Sequence, residues 1–270
     1  MPHNLSTQIA LYISKILIGG TASLSGLGIY SVASQFGNIA DTVQCYVDSA
    51  YGPWLYEKLH ERDVKYKETI RDAVQMLISV IGLVFVGIAL FSHDYIILFV
   101  NKEYVTSWIY VPMIVSVYAI KTAYYFFVEV LFYYKKASQK LFYATLSSSI
   151  VNVFLSAFMI PVWGIVGSIL ADAISMIIRV LIVIAISKQY EDVGLKVKDF
   201  VKNFIIVELF ILAGLSLSYI KYPQTFNWNN LLFKITIVLL YLVYVYVVNK
   251  KQINAVLRSL KTKIKHVSNV

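Results

Sequence analysis

Two neighbouring apolar stretches determine the architecture: LFYATLSSSIVNVFLSAFMI at Leu141–Ile160 and GIVGSILADAISMIIRVLIVIAI at Gly164–Ile186. Each is close to the roughly 20 residues that an α-helix needs to cross about 30 Å of hydrocarbon. The connection between them, Pro161–Trp163, has only three residues. The chain is therefore predicted to cross a membrane twice in immediate succession.

Apolar stretches of similar length recur along the chain. Hydrophobic residues make up 59% of the 270 residues and charged residues 14%, whereas soluble domains average about 45–50% and 25%. The single cysteine, Cys45, excludes a disulfide-stabilised scaffold. Four more membrane helices are predicted, at Ala73–Phe91, Ser107–Leu131, Phe200–Tyr219 and Leu231–Val248.

Two further segments, Leu5–Gly20 and Tyr30–Leu55, are too short or too polar to be recognised from hydropathy alone. In the second, polar and small residues recur every three or four positions, as on one face of a helix. A soluble amphipathic helix would show the same pattern, but the neighbouring spans favour a membrane helix whose polar face turns to the bundle interior. This polar stripe comprises Ser31, Ser34, Gln35, Asn38, Asp41, Thr42, Cys45, Asp48, Ser49 and Gly52. The predicted fold class is an all-α integral membrane protein with about eight transmembrane helices.

The distribution of Lys and Arg predicts the orientation. With eight spans, the connections 56–72, 132–140 and 187–202 fall on one side together with the tail 249–270, and they hold eighteen Lys and Arg. The opposite connections hold two, Lys102 and Lys221. Because cytoplasmic loops carry the excess of Lys and Arg, both termini are predicted to be cytoplasmic, in a bacterial inner membrane.

Three regions are predicted: a six-helix lobe over 1–186, two additional membrane helices over 187–248 and a basic tail over 249–270. In the tail, apolar residues share one helical face opposite the lysines, which is typical of a helix lying on an anionic membrane surface. A disordered basic tail is the alternative, because short amphipathic helices are marginal away from lipid.

Ionisable side chains inside the spans are the first candidates for function. Each costs about 2.5–3.5 kcal/mol on insertion scales, so those retained usually face a cavity or a partner. Asp41 and Asp48 are seven residues apart and share a helix face, as do Asp172 and Arg179. Pairing between helices that only holds the bundle together is the alternative for each. The candidates are Lys15, Asp41, Asp48, Lys121, Glu129, Asp172, Arg179 and Glu208.

Uncharged residues extend this set. Asn152 lies on a polar face of its span, which could line a cavity or make interhelical hydrogen bonds. Tyr124 and Tyr125 lie deep in a span, where a phenol ring can stack on a sugar and hydrogen-bond it. Lys202 and Lys234 lie near helix ends and are predicted to reach the interface.

The sequence has no constellation typical of an enzyme. It lacks a glycine-rich phosphate loop, metal-spaced Cys or His residues, and a nucleophile beside a base. We therefore expect neither catalysis nor a cofactor or metal. The four histidines are predicted to lie in loops and termini, at His3, His60, His93 and His266.

Four segments resemble the C-terminal half of a Wzx-type O-antigen or polysaccharide flippase of the MOP transporter superfamily. They are GLGIYSVASQFG at Gly26–Gly37, AYGPWLYEKL at Ala50–Leu59, LFVNKEY at Leu98–Tyr104 and VNVFLSAFMIPVWGIVGSILAD at Val151–Asp172. The order and spacing fit across nearly the whole chain. Members of this family have two pseudo-symmetric lobes, whereas this chain supplies one lobe and two extra helices.

The resemblance implies alternating-access transport of a polyprenyl-diphosphate-linked oligosaccharide across the inner membrane, for assembly of O-antigen and lipopolysaccharide. It implies that Lys15, Lys121 and Arg179 contact the diphosphate. Four carboxylates would contact sugar hydroxyls or take up a coupling proton or cation: Asp41, Asp48, Glu129 and Asp172.

Other functions remain open at this stage. The same superfamily includes multidrug and cation exporters, and the chain could also be a nonfunctional truncated remnant. An O-antigen polymerase would be expected to carry a large outer loop, and no connection on the predicted outer side exceeds about fifteen residues. Membrane lipids and a separate N-terminal lobe are the expected partners, and nucleic acid is not expected, because the basic residues lie in short blocks between spans.

Overall fold

The computed structural model describes residues 15–20 and 24–254, and all regular secondary structure in these ranges is helical. Five of the helical elements described are long and apolar enough to cross a membrane. The predicted class, an all-α integral membrane protein, is confirmed.

Residues 15–20 are helical, and longer helices make up most of residues 24–254. We number the longer helices in chain order. They are α1 (Leu24–Glu61), α2 (Tyr66–Phe99), α3 (Tyr110–Tyr133, preceded by a 3-10 segment at Lys102–Ile109), α4 (Lys135–Tyr190), α5 (Val197–Ile220) and α6 (Trp228–Val248).

The long helix α4 is a hairpin of two arms, 135–163 and 165–190. Gly164 reverses the chain with φ 57° and ψ −129°, a conformation essentially restricted to glycine. At Gly167 a Cβ atom would lie 2.2 Å from the carbonyl oxygen of Met159, so this glycine allows the two arms to come into very close contact beside the turn. The two predicted spans flanking Pro161–Trp163 are thus confirmed as separate, antiparallel helices.

Gly164→Ala is expected to destabilise the chain by about 1–3 kcal/mol, because alanine is strained at this backbone conformation. The matched control is Gly87→Ala in α2. Neither glycine has an atom within 4 Å of a built Cβ, but Gly87 has ordinary helical geometry. Equilibrium unfolding in detergent compares the two variants, and equal stability would contradict the assigned hairpin turn.

The helices alternate in direction between two ends of the bundle. At one end, Arg62 and Tyr134 both contact Glu191, so the connections rich in Lys and Arg lie together. At the other, the indole N–H of Trp108 donates to the carbonyl oxygen of Pro223 at 2.8 Å. We call these the basic end and the opposite end. This alternation agrees with the predicted separation of basic and non-basic connections.

The helices pack in a definite order. α3 packs against α4 and α1, and α2 packs against α1 and α3. α5 and α6 pack mainly on α2. Local signals set several boundaries: Arg62, with φ 46°, ends α1, and the Asn227 side chain caps α6 by accepting from the backbone N–H groups of Asn229 and Asn230.

Seven of the eight predicted spans coincide with helices described here. Most of Leu5–Gly20 and nearly all of the predicted tail helix lie outside the described residues. Several boundaries were wrong, because the helices are longer than their apolar stretches: α1 continues through Glu61, and α2 runs from Tyr66 through Phe99. His60 in α1 and His93 in α2 are therefore helical rather than in loops.

Candidate functional site

A hydrogen-bonded ion pair joins α1 and α3 near the middle of both helices. Lys121 Nζ lies 2.6 Å from Asp41 Oδ1, and the Tyr125 hydroxyl donates to the same oxygen at 2.9 Å. The Lys121 ammonium also lies 4.9 Å from the centre of the Tyr125 ring. The Lys121 and Asp41 side chains are 16% and 29% exposed, so the pair borders the surface of the chain.

The polar stripe of α1 is only partly buried. Asp41 and Asp48 are half-buried, as predicted for residues facing the bundle. Other residues of the stripe depart from the prediction of an interior-facing edge, because the described helices leave them uncovered. The exposed members of the stripe are Gln35, Asn38, Thr42, Cys45 and Ser49.

One turn beyond the ion pair, Gln44 and Asp48 line a narrow crevice with Thr122 and Tyr125. The Gln44 amide nitrogen donates to the Tyr118 carbonyl at 2.9 Å and to the Thr122 hydroxyl at 2.6 Å. Asp48 was among the predicted site residues. Gln44 was not, although Gln44 lies one helical turn from Asp48.

Glu129 lies further along the same interface. It accepts a hydrogen bond from the Tyr56 hydroxyl of α1. Gly52 permits this approach, since a Cβ there would lie 2.6 Å from a Glu129 oxygen. Both Lys121 and Glu129 therefore have their hydrogen-bond partners on another helix, α1.

A second polar group lies within the α4 hairpin. The Asn152 amide donates to Asp172 Oδ1 at 2.7 Å and to the Ser175 hydroxyl at 3.1 Å. Arg179 Nε donates to the Ser148 hydroxyl at 2.8 Å, and its side chain is almost fully buried. Of the two roles predicted for Asn152, interhelical hydrogen bonding is the one observed.

The predicted residues thus form two groups rather than one. Tyr124 lies between them and is only 4% exposed, so its ring is covered and does not present a surface for a sugar. Tyr125 is half-buried beside Asp41, to which its hydroxyl donates. Lys15 is exposed and belongs to neither group among the described contacts. Glu208 lies apart on α5.

A buried charged cluster near the opposite end was missed. Lys234 was expected to reach the interface, but it is fully buried, with Nζ 2.7 Å from Asp94 Oδ2 and 3.0 Å from His93 Nδ1. His93 Nε2 lies 2.8 Å from the Tyr222 carbonyl. Because a carbonyl only accepts, Nε2 carries the proton and Nδ1 accepts from Lys234. In the sequence, the one indication of this cluster is the adjacent pair His93 and Asp94, just after an apolar stretch.

A further cluster lies at the basic end, outside the spans. Glu191 accepts from the hydroxyls of Tyr66 and Tyr134 and pairs with Arg62 at 3.1 Å. These contacts fasten the α1–α2 connection to the segment between α4 and α5.

The chain presents little that would hold a metal through clustered His, Cys, Asp and Glu. Within residues 15–20 and 24–254, no three such side chains converge. The available chemistry is that of hydroxyl, amide, carboxylate and ammonium groups on membrane-spanning helices.

The helices and the charges they enclose define a polytopic all-α membrane protein. No family model matches the chain, and no solved structure matches it. It is similar to a Haemophilus influenzae protein described as an uncharacterized membrane protein, with 23% identity over 163 residues. That match covers 58% of this chain and 40% of the relative, so the chain spans less than half of the relative's length.

Proposed function

We propose that this chain is one lobe of a transporter that moves a polyprenyl-diphosphate-linked oligosaccharide across a bacterial inner membrane for polysaccharide assembly. The observation that carries the proposal is the exposed part of the α1 polar stripe beside the Asp41–Lys121 pair. Polar side chains facing hydrocarbon without partners are costly. A polar, partly charged surface at mid-helix therefore calls for water, a polar ligand or another protein surface.

The chemistry of this surface suits a phosphorylated glycan. Lys121 supplies ammonium donors for phosphate oxygens, and an arriving diphosphate would compete with Asp41 for them. The Asp41 carboxylate and the Tyr125 hydroxyl could then turn to sugar hydroxyls, which both donate and accept. The polyprenyl tail would stay in the surrounding lipid, because an apolar chain needs no polar partners there. Arg179 is a weaker candidate, because it already donates within the α4 hairpin.

A second wall is needed to enclose this surface. We propose that a separate N-terminal lobe faces the exposed residues of α1, such as Asn38, Thr42 and Ser49. The basic end is proposed to be cytoplasmic, following the excess of Lys and Arg there.

Lys121→Gln is expected to reduce glycan translocation by about tenfold to a hundredfold, because a hydrogen bond to a charged group contributes about 1.5–3 kcal/mol. The test is complementation in the source bacterium after deletion of the gene. Accumulated lipid-linked oligosaccharide and surface polysaccharide are the two readouts.

The matched control is Lys202→Gln, which removes an exposed lysine near the start of α5. It should complement fully. Membrane abundance of each variant separates transport from folding. Normal surface polysaccharide with Lys121→Gln would overturn the site, and deletion without any effect on lipid-linked glycans would overturn the proposed substrate.

Export of a small cationic compound is the second candidate. Four carboxylates lie in the spans of α1, α3 and α4 but only two cations, which favours a positively charged ligand. Resistance of the complemented strain to lipophilic cations, unaffected glycan assembly and dependence on Asp41 would identify this function. If the chain is a nonfunctional remnant, deletion of its gene should change neither cation resistance nor glycan assembly.

A further inference from the structure

Two tyrosine rings lie close to the Lys121 ammonium. Tyr118 comes three residues before Lys121 and Tyr125 four residues after it, so all three side chains share one face of α3. The Lys121 nitrogen lies 5.6 Å from the centre of the Tyr118 ring and 4.9 Å from the centre of the Tyr125 ring. An ammonium within about 6 Å of a ring centre is attracted to the π electrons of that ring. Both rings therefore stabilise the charge of Lys121.

Contacts with α1 fix the position of both rings. At Gly37 of α1 a Cβ atom would lie 2.7 Å from Cε2 of Tyr118, so this ring lies directly against the α1 backbone. The Tyr125 hydroxyl donates to Asp41 Oδ1 at 2.9 Å and lies 3.2 Å from the Cys45 sulfur. Because the hydroxyl proton goes to Asp41, the thiol is the donor in the second contact. Each ring is therefore anchored on a second helix.

The contacts of Lys121 are of two kinds. Asp41 is an anion, and a phosphate oxygen would compete with it for the ammonium protons. The phenol rings are neutral and contact the ammonium through their π electrons, so a phosphate need not displace them. The rings can thus hold the ammonium in place while its anionic partner changes. A lysine side chain is flexible, and support of this kind reduces the entropy lost when it binds a ligand.

We propose that Tyr118 and Tyr125 are positioning residues, which hold the Lys121 ammonium where it receives a phosphate group of the substrate. This inference rests on the proposed transport of a diphosphate-linked glycan. In this role the two tyrosines act through Lys121 and need not touch the phosphate themselves. The aromatic ring, rather than the hydroxyl, is then what position 118 requires.

Tyr118→Leu is expected to lower glycan translocation by about threefold to tenfold, the loss that one partly desolvated cation–π contact predicts. Tyr118→Phe keeps the ring and should retain most of the translocation. Tyr246→Leu is the matched control, because Tyr246 is exposed on α6. The readouts are accumulated lipid-linked oligosaccharide and surface polysaccharide in the complemented deletion strain, corrected for the membrane abundance of each variant.

Equal translocation by Tyr118→Leu and Tyr246→Leu would overturn the proposal. A defect in Tyr118→Phe as large as that in Tyr118→Leu would also overturn it, because the ring would then not be the part that acts. If Tyr118→Leu does not fold, Tyr125→Leu replaces it, with the same expected loss.

A spectroscopic measurement tests the position of Lys121 without transport. Reductive methylation with ¹³C-formaldehyde labels the lysines of the purified chain and keeps their positive charge. The ring currents of the two tyrosines should displace the Lys121 methyl signal from those of exposed lysines, and the signal is assigned by its absence in Lys121→Arg. Tyr118→Phe should keep this displacement, and Tyr118→Leu should reduce it. Asp41→Asn should keep it as well, because the rings hold the ammonium without the carboxylate.

A Lys121 signal that coincides with those of exposed lysines would overturn the proposal, and so would a displacement that is lost in Asp41→Asn. Normal glycan assembly after deletion of the gene has a different meaning. It would contradict the proposed function but not the contact between Lys121 and the rings, which the methyl signal reports.

Discussion

Lys234→Met is expected to lower the free energy of unfolding by about 3–5 kcal/mol, because it leaves a buried carboxylate without its counter-charge. Lys234 is fully buried and bonds both Asp94 and His93, so no solvent replaces the lost ammonium. The cluster joins α6 to α2 near the opposite end, where the Tyr222 carbonyl also contacts His93. Equilibrium unfolding in detergent measures the loss.

Two further variants make this prediction specific. Lys202→Met removes an exposed lysine and should change stability by less than about 0.5 kcal/mol. Combining Lys234→Met with Asp94→Asn should recover part of the loss, since no unpaired charge then remains. If Lys234→Met were as stable as Lys202→Met, the buried cluster would be wrong.

Arg179→Leu is expected to have a comparable effect, about 3 kcal/mol or more. The guanidinium is almost fully buried and donates to Ser148, and Asp172 lies within its electrostatic range. Removing it deletes the Arg179–Ser148 hydrogen bond between the hairpin arms and takes away the cation within electrostatic range of Asp172. Thermal unfolding of the purified variant provides the measurement.

The informative comparison is with Lys121→Gln. The Lys121–Asp41 pair is partly exposed, so its loss should cost about 1 kcal/mol or less. We therefore expect Arg179→Leu to lower chiefly the stability of the chain and Lys121→Gln to lower chiefly its transport activity. Equal destabilisation by the two substitutions would contradict the separation of the hairpin group from the α1–α3 surface.

Helix positions and directions were predictable, because they follow from local composition. The three-residue connection Pro161–Trp163 forced a hairpin, and the polar stripe of Tyr30–Leu55 indicated a helix that hydropathy alone does not recognise. Both features depend on residues close in sequence. The cost of an isolated charge in a membrane predicts only that Lys121 faces a cavity or a partner.

Which residues meet across helices was not predictable. Asp41 reaches Lys121 because Gly37 lets α1 approach α3 closely, where a Cβ would lie 2.6 Å from Ile114. Such a register depends on packing rather than on local pattern. The burial of Lys234 was not predictable for a related reason. The distance of a residue from a helix end does not reveal whether neighbouring helices cover that end.

The proposed function requires that the polar stripe of α1 faces water inside the membrane rather than lipid. Cys45 is the sole cysteine of the sequence and is exposed on that stripe. It can be labelled with a membrane-impermeant maleimide in sealed vesicles. Maleimide reacts with the thiolate, which forms only where water reaches the sulfur.

The matched control combines Cys45→Ser with Leu209→Cys, which puts the thiol on an exposed apolar position of α5. The account predicts that Cys45 is labelled at least about tenfold faster than this control, the rate ratio of about 1.4 kcal/mol. Labelling of Cys45 as slow as that of the control would contradict the account.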